Sequence, residues 1–419
     1  MSITVTNVHA TEIIDSRSRP TLSITLETAD GQRVRAGVPA GASTGSREAV
    51  ELRDGDPERY NGQGVLSAVE SVNGEIMEAL SGRSFELLSD LDHTLIELDG
   101  TDNKSRLGAN AIVGISIAAA RAYAAHEGIE LWESFIGSVG EPRMPVPHFN
   151  VINGGVHALN DLDFQEFMIA PIGAPTMAEA VRAGSEIYSC LRNLLHERGM
   201  SVGLGDEGGF APEISEPEQA LDLLVEAITT AGYLPGRGEV AIAIDPASSE
   251  FYRDGRYHVA GKTFSSNEMI ERYAEIVDRY PIWLLEDGLA ESDWSGWQQL
   301  TERLGEKIEL VGDDIFCTNP AIIRDAIEKQ VGNATLVKVN QIGTVSETIE
   351  AMRVARDGHY AQFVSHRSGE TDDTFIADLT VGTGAGHLKS GAPARGERIA
   401  KYNRLIEIAE RSRLRFGVK

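Results

Sequence analysis

The chain opens on alternation. In ITVTNVHATEII, residues 3–14, apolar and polar side chains largely take turns, the period of a strand with one covered face. LSITLETADGQRVRAGV, residues 22–38, reads as a second strand, set apart from the first by the turn-forming run 15–20. Helical periods dominate from residue 66 to 126, so this part is an α+β unit. Its most apolar stretch, residues 109–125, is rich in Ala and interrupted by Arg121, which suits a buried helix better than a membrane span. A loop rich in Gly and Pro, 137–147, marks the boundary between a unit of residues 1–136 and one of residues 137–419.

Beyond that loop short β-branched runs alternate with amphipathic helices. One helix carries its own signals: Ser215 and Glu218 form a capping box, Ala220, Leu221, Leu224 and Ile228 an apolar face, and Gly232 a stop. The later apolar runs each end in a reactive residue: VAIAID at Asp245, IWLLE at Glu286, IELVGD at Asp313, TLVK at Lys338, AQFVSHRS at His366 to Ser368, and HLK at Lys389. These ends follow one another at intervals of 41, 27, 25, 28 and 23 residues, room for a strand, a helix and two loops. A (β/α)8 barrel of the TIM type, preceded by a smaller α+β domain, brings all such ends to one rim. Any one of them alone reads as a satisfied polar residue at a strand end. Six in succession point to a site.

Composition narrows the partners. With 42% hydrophobic and 24% charged residues the chain is a folded, soluble protein. Its net charge of -26 excludes nucleic acid and anionic membrane as main partners, since both require a basic footprint. An anionic substrate must then be met by local cations, either bound metal or clustered Lys and Arg. Cys190 and Cys317 have no metal or redox spacing, and the start MSITVTNVHA lacks the regions of a signal peptide, so a cytoplasmic location is expected.

The strand ends supply a chemistry. Asp245, Glu286 and Asp313 come from three neighbouring strands, and three carboxylates without a His or Cys pattern suit Mg2+. Lys338 on the next strand lies close to that metal, whose charge favours the neutral amine and hence a base. A base beside a divalent cation removes a proton α to a carboxylate, because the cation stabilises the enediolate. Earlier in the chain, His157, Gln165 and Glu166 lie in NGGVHALNDLDFQEFMI, and Asp206 and Glu207 in VGLGDEGGFAP. A carboxylic acid on such a loop, facing the base, can protonate a leaving hydroxyl. Arg367, Ser368 and Lys389 offer cations and a hydroxyl to a phosphate or carboxylate. The donor-rich loop GVPAGASTG, residues 37–45, has the composition of a lid over that rim, with Ser43 within it.

Long runs, among them GASTGSREAVELRDGD, NKSRLGANAI, DFQEFMIAP, GDEGGFAP, EDGLAESDW, KVNQIGT and SHRSGETDD, make the sequence closely resemble the enolase family from residue 14 to about residue 408. The resemblance implies magnesium-dependent dehydration of 2-phosphoglycerate to phosphoenolpyruvate, in an enolase-type barrel with a smaller N-terminal domain. By it Asp245, Glu286 and Asp313 look like ligands of a first Mg2+, and Ser43 like the ligand of a second that arrives with substrate. Lys338 looks like the base and Glu207 the acid, supported by Glu166. His157, Gln165, Arg367, Ser368 and Lys389 look like substrate contacts, with His366 beside them. The family is usually dimeric or octameric, so a homodimer or octamer is expected.

The sequence departs from the family pattern at Ser18 and Arg19 (usually Gly and Asn), Ala40 and Val156 (both usually Ser), Pro246 after Asp245, and Ser390 (usually Thr). None removes a catalytic group. Ala40 and Val156 lie in loops expected to close over substrate, which motivates an alternative: a paralogue of secondary metabolism acting on a related phospho- or phosphono-carboxylate, as the carboxyphosphonoenolpyruvate synthases do. Acid-sugar and muconate relatives of the superfamily fit less well, because no Lys-x-Lys pair precedes the first metal ligand.

Overall fold

The computed structural model describes residues 2–42 and 45–418, so the expected metal ligand Ser43 lies outside the described residues. Four antiparallel strands begin the chain: β1 (Ile3–Ile14), β2 (Pro20–Thr28), β3 (Arg33–Gly37) and β4 (Ser84–Phe85), in the order β3-β2-β1-β4. The run 22–38, expected as one strand, is a hairpin. Ala29, Asp30 and Gly31 turn the chain, Gly31 at φ 87° where a Cβ is costly, and Leu26 pairs with Val34. In the turn before β2, Asp15 Oδ1 accepts from the backbone N–H of Arg17 and of Arg19, and Ser18 takes φ 60°, the left-handed region that its usual family Gly enters freely.

The Ala-rich stretch forms the helix Ala109–Glu127, buried around most of its circumference. One side meets β2 and β3, where Gly114 allows close approach: a Cβ there would stand 2.5 Å from Ile24 and 2.8 Å from Val38. The other side meets segments of the second unit, the helices Val339–Ile342 and Val345–Asp357. Two packed faces leave no room for a polar stripe, which explains the composition. Among the described residues no helix is long and apolar enough to cross a membrane.

The second unit is a closed barrel of β5 (Val146–Asn153), β6 (Glu166–Ala170), β7 (Ala241–Asp245), then, after a small sheet of β8 (Tyr252–Arg253), β9 (Arg256–Val259) and β10 (Lys262–Phe264), β11 (Ile282–Glu286), β12 (Glu309–Gly312), β13 (Ala334–Val337), β14 (Ala361–Ser365) and β15 (Gly386–Lys389). Seven strands run parallel around it, whereas β6 is antiparallel to both β5 and β7. The first barrel connection is therefore a loop between antiparallel neighbours and needs no crossover helix. One barrel helix starts later than its sequence signals suggest. It spans Pro217–Thr230, and Gln219 Oε1 accepts from the backbone N–H of Ser215 and Glu216. Pro217 decides the start, since it lacks an N–H and its fixed φ suits the first helical position.

Side chains alternate along the barrel strands, and the inward set forms its own cluster of Met168, Ala243, Leu284, Val311, Leu336 and Phe363. Two residues further towards the rim, on the same face, stand Glu166, Asp245, Glu286, Asp313, Lys338 and Ser365. The site is thus the next layer above the barrel core.

The two units are joined by buried polar contacts. Gly37 N–H donates to Asp373 at 2.8 Å, Arg121 forks onto the same carboxylate at 2.7 Å, and Ala40 exchanges backbone hydrogen bonds with Gly369 at 2.8 and 2.9 Å. Asp92, on the helix Leu88–Asp99, accepts the N–H of Ser346 at 3.0 Å. Burial lifts its carboxyl from the ordinary 3.8 to about 6. Between those values the folded chain holds a proton that the unfolded chain has released, so stability falls as pH rises through the window, by up to about 3 kcal/mol. Urea unfolding of Asp92→Asn should therefore show a gap from wild type that moves in the variant's favour by roughly 2 kcal/mol between pH 4.5 and 7.5. A gap that does not change with pH would remove Asp92 as the source.

Candidate active site

Strand ends and two loops bring His157, Glu166, Glu207, Asp245, Lys338 and Lys389 to the lining of one narrow cleft, while Glu286 and Asp313 do not line it and lie behind it, bonded to Lys389 and Lys338. Gln165, His366, Arg367 and Ser368 line it too, together with Ala42 of the N-terminal unit. Glu166 is the first residue of β6, and only the reversed direction of that strand puts a strand start at a rim of strand ends.

At its centre Lys389 is surrounded by carboxylates. Its ammonium donates to both oxygens of Glu286 at 2.7 Å and both of Glu166 at 3.3 Å, and lies 3.6 Å from Asp245. Burial disfavours its charge, but these three partners outweigh burial and raise its pKa well above the usual lysine range. Burial and then mutual repulsion push Asp245 and Glu166 well above the carboxylate range, with Glu286 and Glu207 respectively the strongest repelling neighbours.

Asp313 stands apart from this group. Its Oδ2 bonds Lys338 and its Oδ1 accepts Gln341 Nε2 at 2.8 Å. Burial opposes the Lys338 ammonium, yet Asp313 overrides it and raises the lysine. The amine expected to be neutral is therefore held as an ammonium while Asp313 is its partner. The three carboxylates expected as metal ligands do not close into one set. Among the described residues the groups with ligand atoms within 4.8 Å of one another are His157, Glu166 and Glu207, and separately Asp287, Asp313 and Asp314. In the latter, both Asp287 oxygens are taken by the backbone N–H groups of Asp313 and Asp314, at 2.9 and 3.0 Å.

The donor set nevertheless suits a hard cation. Glu166, Glu207, Asp245, Glu286 and Asp313 are all buried and outnumber Lys338 and Lys389, and their oxygens are the ligands that Mg2+ prefers.

Glu207 lies opposite, on the loop after Gly205. Its Oε2 accepts Asn150 Nδ2 at 2.9 Å and faces His366 Nε2 at 3.5 Å, while Oε1 faces His157 Nε2 at 3.4 Å. Burial raises its pKa, but the facing N–H groups of His366 and His157 and the charges of Arg398 and Lys389 prevail and hold it well below the carboxylate range. One proton of the Glu166 and Glu207 pair thus rests with Glu166 in this arrangement. Burial keeps both histidines neutral. Arg367 NH1 bonds Glu48 at 2.9 Å and Asn340 Oδ1 at 3.0 Å, and Ser368 Oγ accepts Arg17 NH1 at 3.0 Å. Gln165 Oε1 and His157 Nδ1 are buried without a hydrogen-bond partner.

Asn150, Gln341 and Arg398 were not among the sequence candidates. Strand parity marks Asn150, which sits two residues beyond the inward His148, whereas Arg398 lies on the helix Gly396–Arg411 and carries no such signal.

Residues 5–135 match the family described as "Enolase, N-terminal domain" and residues 141–414 the family "Enolase, C-terminal TIM barrel domain". The chain is 54% identical over 407 residues to "Enolase 1" of Chlorobaculum tepidum, an alignment covering 96% of this chain and 95% of that protein. It is 53% identical over 405 residues to "Enolase" of Rubrobacter xylanophilus, covering 96% of this chain and 94% of that one.

Removing the central ammonium leaves buried carboxylates unpaired, a change that costs about 3 kcal/mol or more. Lys389→Met should lose that much stability in urea unfolding with chelator present. A loss under about 1 kcal/mol would mean that the acids simply take up protons.

Proposed function

The chain belongs to the enolase family, and from that premise we propose how its residues divide the reversible dehydration of 2-phosphoglycerate to phosphoenolpyruvate. The observation that carries the proposal is one cleft lined by an amine, Lys338, and by a loop carboxyl, Glu207. Lys338 takes the proton from C2, and the electron pair left behind moves into the substrate carboxylate as an enediolate. Glu207, once it has taken up the proton that rests with Glu166 in this structure, gives a proton to the C3 hydroxyl, which leaves as water while the C2–C3 double bond forms. Glu166 supports the acid, sharing its buried charge.

Asp245, Glu286 and Asp313 are the residues that would hold a first Mg2+, and Ser43 a second that comes with substrate. When bound, such ions would neutralise the charge gathering on the substrate carboxylate, and Lys338, which Asp313 holds as an ammonium in this structure, would act as the base once that contact is given up. Arg367, Ser368 and Lys389 supply cations and a hydroxyl for the phosphate and carboxylate, with His157, Gln165 and His366 completing the contacts. Unpaired buried atoms on Gln165 and His157 support this, since such atoms await a partner.

Residues 1–136 act in this reading as the capping unit that carries the lid, and 137–419 as the barrel, in a cytoplasmic homodimer or octamer. Nothing favours the phosphono-carboxylate alternative. Ala40 is buried and its hydrogen bonds to Gly369 use backbone atoms, which a Ser would also offer, and Val156 is 47% exposed.

Purified protein should turn over 2-phosphoglycerate with Mg2+, lose activity on chelation and regain it with Mg2+. Full activity after exhaustive chelation would remove the metal from the mechanism. Lys338→Ala should stop exchange of the C2 proton with solvent, while Glu207→Gln should keep exchange and fail to expel the hydroxyl. The reverse pattern would show the two roles interchanged.

A further inference from the structure

The structure assigns Arg398 the task of fixing which ring nitrogen of His366 carries the proton, and through it which oxygen of Glu207 delivers the acid proton, Oε1. The second half rests on Glu207 being the acid; the first half does not.

The side chain of Arg398 is fully buried; its Nε, 3.3 Å from Glu397, has no hydrogen-bond partner, and its two terminal nitrogens donate to the site's scaffold. NH1 bonds the carbonyl of Arg367 at 2.7 Å and His366 Nδ1, while NH2 bonds the carbonyls of Ser368 at 2.6 Å and Asp206 at 3.2 Å and Ser16 Oγ at 3.3 Å. It therefore ties the segment that carries His366 to the residue just before Glu207. Gly391 permits this junction, since a Cβ there would stand 2.6 Å from the carbonyl of Glu207 and 2.8 Å from Arg398 Cδ.

A guanidinium has only donors and does not give up its proton, so His366 Nδ1 must be the acceptor. In a neutral imidazole the hydrogen then sits on Nε2. Burial, with Arg398 among the opposing charges, keeps the ring neutral. The Nε2–H faces Glu207 Oε2 at 3.5 Å, the same oxygen that accepts Asn150 Nδ2 at 2.9 Å. A proton on Oε2 would set an O–H against two N–H donors. It belongs on Oε1, whose neighbour is His157 Nε2 at 3.4 Å, a ring whose Nδ1 has no hydrogen-bond partner and is free to hold the hydrogen.

Without Arg398 the His366 hydrogen is free to move to Nδ1, and a bare Nε2 then draws the acid proton of Glu207 from Oε1 to Oε2. Arg398 touches no reacting atom and is a positioning residue.

Two-bond proton–nitrogen correlation spectra of the full chain, labelled with 15N-histidine, read the tautomer directly, and His366→Gln identifies the signals. We expect Nε2–H in wild type at neutral pH, Nδ1–H in Arg398→Met, and retention of Nε2–H in Arg398→Lys, whose ammonium can still donate to Nδ1. In Arg398→Met, kcat should fall roughly tenfold or more while KM for 2-phosphoglycerate shifts by less than about threefold. Nδ1–H in wild type overturns the assignment, as does an unchanged tautomer in folded Arg398→Met. Should that variant not fold, the wild-type and Arg398→Lys spectra decide. Wild-type turnover by Glu207→Gln would remove the acid role and leave the tautomer assignment standing, so the two failures are distinguishable.

Discussion

Lys389 lies 2.7 Å from both oxygens of Glu286, 3.3 Å from both of Glu166 and 3.6 Å from Asp245, all buried. Like charges at that spacing in a low dielectric repel strongly, and two lysines do not balance the carboxylates present. The arrangement persists because the barrel holds each acid on its own strand, where hydrogen-bonded neighbours prevent it from moving away. The resulting tension is useful, since a site with too many buried anions takes up a cation readily and keeps it where a developing negative charge must be met. The same scarcity of cations explains why Asp313 occupies Lys338, so that on the proposed roles the base and a ligand of the metal would be coupled through one carboxylate.

Strand parity distributes these groups. Asp245, Glu286, Asp313 and Lys338 each stand two residues beyond an inward core residue, so a one-residue slip in register would turn a reactive side chain out towards the helices. Glu166 obeys the same rule in reverse. It begins a strand instead of ending one, and reaches the rim because β6 runs against its neighbours.

This explains what the sequence revealed. The six strand ends were legible because each apolar run stops at a polar residue and the spacing of the runs matches a barrel. The direction of β6 was not, since a five-residue apolar run has the same pattern either way round. The hairpin of β2 and β3 was legible after all, in the turn dipeptide Asp30-Gly31 that interrupts the alternation, whereas the start of the helix at Pro217 was hidden by a Ser and Glu at capping-box spacing that a proline overruled. Which carboxylate pairs with which lysine was beyond reach, because the sequence places side chains at the rim without giving their rotamers. Strand order brings Asp245, Glu286 and Asp313 to one rim, but it does not tell that Lys389 pairs with the first two and Lys338 with the third.

Arg398 was equally hidden, for it lies on an outer helix and reaches inward. Its position matters because the rim is assembled from two units. Ser16, from the N-terminal unit, accepts from Arg398, and its neighbour Arg17 donates to Ser368 and to the carbonyls of Ala40 and Gly41. The chain leading to the lid is thus anchored to the same guanidinium cluster that orients His366 and the Glu207 loop. Direct hydrogen bonds thus connect the stretch before residue 43 to Ser368 and, through Ser16 and Arg398, to the loop that carries Glu207. One connected set of hydrogen bonds therefore fixes the stretch before residue 43, the His366 segment and the Glu207 loop relative to one another, so that none of the three takes its place alone.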